Sequence, residues 1–112
     1  MNSDCIFCKI ASHEMPKEFT YEDSEIMVFP DINPVKPLHF LVVPKKHVSD
    51  LLELTDDGLK SKILDTVGKI AKDQGLDGKG FRVVVNGGGA QVIDHLHFHL
   101  MGPMGMKAGW GA

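Results

Sequence analysis

Two hydrophobic periods alternate along this chain. Leu59, Ile63, Val67 and Ile70 recur at spacings of four, four and three, which lays one apolar stripe along an α-helix. Thr55 is the expected N-cap of that helix, with Asp56 and Asp57 in the first turn, where the helix dipole favours negative charge. Gly75 is the expected stop. Elsewhere, short apolar runs bounded by turn residues read as strands. EFTYED and EIMVFPD form a first pair separated at Asp23–Ser24, and LHFLVVP follows the proline-marked loop NPVKP. FRVVV and HLHFHLM complete a set of about five. CIFCKIAS fits either one short helix or irregular turns, and HVSDLLEL has room for a helical turn. The tail GPMGMKAGWGA carries four glycines in eleven residues and has no period. One long helix with several short strands predicts an α+β domain whose sheet is mainly antiparallel.

The sharpest alternation is HLHFHL, which places three of the chain's six histidines within five positions. Residues two apart on a strand share a face. Leu96, Phe98 and Leu100 therefore anchor one face in the core, and His95, His97 and His99 share the other. That second face is solvated, metal-binding or catalytic. Imidazole serves both of the last two, because it titrates near neutral pH and ligates metals through either ring nitrogen. The preceding NGGGAQ loop lets backbone approach a ligand closely, and successive amides in such a loop can form an anion-binding nest. No Gly-Lys-Ser/Thr follows, so it is not a P-loop.

Composition narrows the classes. At 112 residues and 43 % hydrophobic content, the chain suits a single domain, 1–112, with its own core. A net charge of −3 gives no basic footprint for nucleic acid. No apolar run approaches the roughly 20 residues of a membrane span, and MNSDCIFCKI does not read as a signal peptide. Cys5 and Cys8 are the only cysteines, and at this spacing they read as a metal or redox element in a reducing compartment. A cytoplasmic location is expected.

HLHFHLM matches His-φ-His-φ-His-φ-φ, with φ apolar, at every position. IFCKI, PDINPVKPLHFLVVPKKHV and FRVVVN follow in the matching order. On these segments the chain resembles the histidine triad (HIT) family of nucleotide-binding hydrolases and transferases, in its HINT-type branch. The resemblance implies a five-stranded antiparallel sheet with two helices, two protomers pairing into a ten-stranded sheet. It implies hydrolysis of purine nucleoside 5′-phosphoramidates, or related AMP conjugates, through a nucleotidyl-histidine intermediate. On the matching positions His97 is the nucleophile, with His99 and His39 assisting at the phosphate. Ile6, Phe7, Ile10, Phe29 and Ile32 match an apolar base pocket, and Asp31 matches a ribose-binding acid. Asn86, Gly89 (within the Gly87–Gln91 loop), Gln91 and Val92 match positions near phosphate and ribose. A dinucleoside polyphosphate hydrolase and a nucleotide-binding regulatory module with weak hydrolysis are the alternatives.

Members that keep the CxxC pair hold a structural zinc, which on this chain implies Cys5, Cys8, His47 and His95 as ligands; no organic cofactor is implied. The chain departs from the HINT-type pattern in three places. Four residues separate Asn86 from Gln91, where those members have about six. Val92 stands where many carry serine, whose hydroxyl can meet the leaving group. Trp110 is kept, without the prolines that often follow it.

Overall fold

The computed structural model describes residues 4–109. In chain order the elements are α1 (Ile6–Ala11), β1 (Tyr21–Glu22), β2 (Ile26–Pro30), β3 (Leu38–Pro44), a 3₁₀ turn (Leu51–Glu53), α2 (Asp57–Asp73), β4 (Arg82–Val85) and β5 (Phe98–Gly102). The strands form one antiparallel sheet in the order β1-β2-β3-β5-β4. This is the α+β architecture expected, five strands with two helices. No described helix is long and apolar enough to cross a membrane.

The sheet is covered on both faces, which explains why β2 and β3 read as continuous apolar runs. Ile26 and Val28 on β2, Phe40 and Val42 on β3, and Phe98 and Leu100 on β5 pack with Leu59, Ile63, Val67 and Ile70 of α2. The residues between them point the other way, as the strand period requires. Met27, Phe29, Leu41 and Val43 pack with Phe7, Cys8 and Ile10 of α1. Full burial of each such side chain contributes roughly 1.5–3 kcal/mol. The four apolar residues of the α2 stripe are all buried, as the periodicity predicts.

The ends of α2 differ from expectation at one side only. The N-cap is Asp56, not Thr55: its carboxylate accepts the Leu59 amide at 3.0 Å, leaving Asp57 as the acidic residue of the first turn. Two competent capping residues stand side by side, and the one three residues before the Leu59 amide gains the bond. At the C-terminus Gln74 is the cap, and Gly75 follows with φ of 73°. The Gly75 amide reaches Lys72 and the Leu76 amide reaches Ala71, the paired bonds of a Schellman motif. Leu76 is thereby delivered into the α2 core.

Four strands are shorter than the pattern predicts, β2 and β4 by a residue or two at their ends and β1 and β5 by more. β1 keeps only Tyr21 and Glu22 of EFTYED, and β5 begins at Phe98, so His95, Leu96 and His97 precede the ladder. Those three are nonetheless held: the Leu96 amide donates to Val48 at 2.6 Å. CIFCKIAS resolves to a helix, α1, capped by the thiol of Cys5, which accepts the Cys8 amide at 3.4 Å.

Candidate active site

The α1 face of the sheet carries the histidines. His39 on β3 and His99 on β5 are diagonal neighbours, since His39 pairs with Met101 and His99 with Leu41. His97 lies just before β5, its ring edge-on to Phe7 of α1 at 5.2 Å between centroids. A cleft of about 400 Å³ opens beside these rings. It is lined by His39, His97 and His99, by Ile6, Phe7, Ile10, Phe29 and Ile32, and by Asp31, Asn86 and Val92. Phe7, Ile10 and Phe29 are buried, whereas Ile32 and Val92 are exposed rims of the cleft.

Hydrogen bonds fix which nitrogen of each ring carries a proton. His97 Nδ1 lies 2.8 Å from the carbonyl oxygen of His95. A carbonyl only accepts, so Nδ1 is the protonated nitrogen and Nε2 retains its lone pair. For His39, the Val35 amide donates to Nδ1 at 3.1 Å, so the neutral ring carries its proton on Nε2. That Nε2 donates to His99 Nδ1 at 2.9 Å. The His99 proton is consequently on Nε2. One backbone amide thus sets two tautomers in series.

Asp31 stands beside this pair, its Oδ2 at 3.4 Å from His39 Nε2 and 3.8 Å from His99 Nδ1. Its other oxygen accepts the Asn33 amide at 2.9 Å. Burial pushes the His99 ring below its ordinary value, the neighbouring His97 and His39 add to that, and Asp31 opposes it. The ligating atoms of Asp31, His39 and His99 lie within 4.8 Å of one another, but the donated Val35 amide keeps the proton on His39 Nε2 and so works against a metal there.

A second group of ligating atoms lies close by. The side chains of Cys5, Cys8, His47 and His95 converge, all four ligating atoms within 4.8 Å. Cys5 Sγ is 3.2 Å from His95 Nδ1, and Cys8 Sγ is 3.2 Å from His47 Nδ1. His95 Nε2 donates to the Pro44 carbonyl at 2.7 Å, which leaves its Nδ1 lone pair facing the two sulfurs. Burial drives the His95 pKa down to about 4, opposed by the Pro44 bond and assisted by His47 and His97. A neutral imidazole with an outward-anchored N–H beside two thiols that form no disulfide is a donor set suited to a metal ion.

The glycine loop is arranged differently from the readings of Gly89 and Gln91. Neither residue lines the cleft. The Gly89 amide donates to Gln91 Oε1 at 3.0 Å, and Gln91 Nε2 donates to Ser49 and Asp94. Gly88 donates to Asp50 at 2.7 Å. Asp50 and Lys17 escaped the sequence reading. Lys17 lines the cleft with its ammonium 4.9 Å from the Phe29 ring centroid, and no spacing pattern marks either residue. Trp110 lies outside the described residues.

Residues 4–110 match the family model described as scavenger mRNA decapping enzyme C-term binding. Protein HitA of Neisseria gonorrhoeae is 45 % identical over 103 residues, which span 88 % of this chain and 95 % of HitA. The chain belongs to the histidine triad (HIT) family. A solved HIT family hydrolase from Legionella pneumophila Philadelphia 1 superposes with a TM-score of 0.86 at 39 % identity, covering 95 % of this chain and all of that one. A histidine triad nucleotide-binding protein from Candida albicans gives a TM-score of 0.81 at 36 % identity, over 97 % of this chain and 84 % of its own. The protein therefore has the hydrolase-like, nucleotide-binding fold of the HIT family, and its three triad histidines meet at the cleft and the adjoining thiol cluster.

Proposed function

We propose that this HIT protein hydrolyses purine nucleoside 5′-phosphoramidates, or related AMP conjugates, through a nucleotidyl-histidine intermediate on His97. The observation that carries the reading is the His97–His95 bond, which commits the Nδ1 proton to a backbone carbonyl. An Nε2 lone pair beside a cleft is a nucleophile without further activation. It attacks the α-phosphorus, the P–N bond to the leaving amine breaks, and that nitrogen takes up a proton from solvent. Water then attacks the same phosphorus and releases one proton to solvent, the P–Nε2 bond breaks with its electron pair returning to Nε2, and nucleoside monophosphate leaves. His99 presents its Nε2–H to a phosphoryl oxygen or to the leaving amine, and His39 holds His99 in that tautomer.

Ile6, Phe7, Ile10, Phe29 and Ile32 would take the base, Asp31 the ribose hydroxyls, and Asn86 the phosphate–ribose side. Gly89 and Gln91 would act as a braced loop beside the phosphate. Val92 offers the leaving group an apolar surface and no hydroxyl. The cleft volume suits one nucleotide better than the two ends of a dinucleoside polyphosphate. Cys5, Cys8, His47 and His95 would hold zinc. Two thiolates and two imidazoles complete a tetrahedron with no open position, so the ion would secure α1 to the sheet and supply no chemical step. Residues 1–112 would form one HIT domain. A homodimer would form through β4, the longer of the two edge strands, in a cytoplasmic setting that keeps both thiols reduced.

The test is turnover of a fluorogenic adenosine phosphoramidate and of diadenosine tetraphosphate by the wild type and by His97→Ala. The expected result is phosphoramidate turnover that falls by about a thousandfold or more in the variant, with nucleotide mass trapped on His97 in the wild type. Equal turnover by both proteins would remove His97 from the chemistry. Binding of AMP with no turnover would favour a regulatory module.

A further inference from the structure

We propose that Lys17 reads the purine base, favouring a 6-oxopurine over a 6-aminopurine. The inference rests on the cleft binding a nucleotide with its base toward α1. Lys17 precedes β1 and reaches into a wall that is otherwise apolar at this end, beside Ile6, Phe7, Ile10 and Phe29. Its ammonium stands over the Phe29 ring, 4.9 Å from the centroid. Phe29 is flanked edge-on by Phe7 and Phe19, at 5.8 and 6.3 Å. A cation over that ring closes the face to stacking, so an incoming base meets the ammonium with its edge. Among the described residues no carboxylate lies within ion-pair distance of Lys17. Its three N–H donors are therefore available to a ligand.

Base edges differ in what they offer a pure donor. Guanine presents two adjacent acceptors, O6 and N7. Adenine sets its N6 amine beside N7, so one of the two sites turns a donor toward the cation. An ammonium in a partly buried, apolar wall is discriminating, because an unmatched charge there loses solvent without a replacement bond. Removing the charge leaves an aliphatic side chain of similar reach, so discrimination resides in the charge.

The experiment is calorimetric titration of GMP, IMP and AMP into the wild type, Lys17→Met and Lys17→Arg. Methionine keeps the stem and removes the charge. Inosine keeps O6 and N7 and lacks the 2-amino group. The expected result is GMP and IMP binding about five- to tenfold tighter than AMP in the wild type, a ratio near one in Lys17→Met, and a retained preference in Lys17→Arg. Equal loss of all three nucleotides in Lys17→Met would place the charge on the phosphate and overturn the inference. So would a wild type that binds AMP as well as GMP, or one that binds GMP but not IMP. Failure of all three to bind the folded wild type would instead sink the nucleotide reading of the cleft, and the base preference with it.

Discussion

The carboxylate of Asp50 accepts the amide of Gly88 at 2.7 Å, joining two loops 38 residues apart. Asp50 also accepts the Leu52 amide at 3.0 Å, so one side chain caps the 3₁₀ turn and braces the glycine loop. Replacing it with alanine frees Gly88, and the loop beside the cleft loses its anchor. Asp50→Ala is expected to lower kcat/KM for a nucleotide substrate by roughly tenfold through lost positioning. Hydrogen exchange should show faster exchange at Gly88 with α2 unchanged. The Leu52 and Gly88 amides hold the Asp50 carboxyl below its ordinary value of 3.8. The clamp is therefore complete above that pH and is lost only as pH falls through the depressed value.

His99 gives a pH prediction. Burial, then the nearby His97 and His39, keep this ring neutral below its ordinary 6.5. An unfolded chain accepts that proton near pH 6.5, while the folded one resists. Stability from this ring is complete above 6.5 and declines as pH falls toward the folded value. Activity should follow, because protonating Nδ1 sets it against the donated His39 Nε2–H. The kcat profile is expected to hold at pH 6.5 and fall on its acid limb below that. His39→Ala should lower kcat by about 10²-fold and alter the limb's position.

The thiol cluster predicts metal content. Protein expressed with added zinc should carry close to one equivalent by elemental analysis, and Cys8→Ser should carry less than half. Removal of the ion should lower Tm by about 10 °C or more, with α1 protection lost before that of α2. A wild type purified with less than a tenth of an equivalent would reject zinc as the occupant.

Gly80, which does not line the cleft, predicts a stability defect. Its φ is 81°, and a Cβ there would lie 2.0 Å from the Gly105 carbonyl oxygen. The Gly80 carbonyl also accepts the Met104 amide at 2.7 Å. Gly80→Ala is expected to cost about 2–4 kcal/mol through clash and left-handed strain, read from urea denaturation.

Much of this was legible from periodicity. Leu96, Phe98 and Leu100 fall on the α2 core as the alternation requires, and Cys5 and Cys8 meet the two histidines that the family resemblance implies. The residues that escaped notice owe their placement to tertiary contact. Nothing local to Asp50 announces a partner at Gly88, and nothing in MPKEF marks Lys17 as a cleft residue. The Gly89 amide is a donor by sequence, but its direction depends on where Gln91 folds. Thr55 and Asp56 are equivalent as caps until a specific amide chooses between them.

His95 holds two posts at once. Its ring sits among the thiols, and its carbonyl oxygen accepts the Nδ1–H of His97, which leaves the Nε2 lone pair of that ring free. Whatever shifts that ring also drags the acceptor, so the thiol cluster and the His97 tautomer share a single peg. An engineer wishing to change one without the other must leave position 95 untouched and work from the cysteines outward.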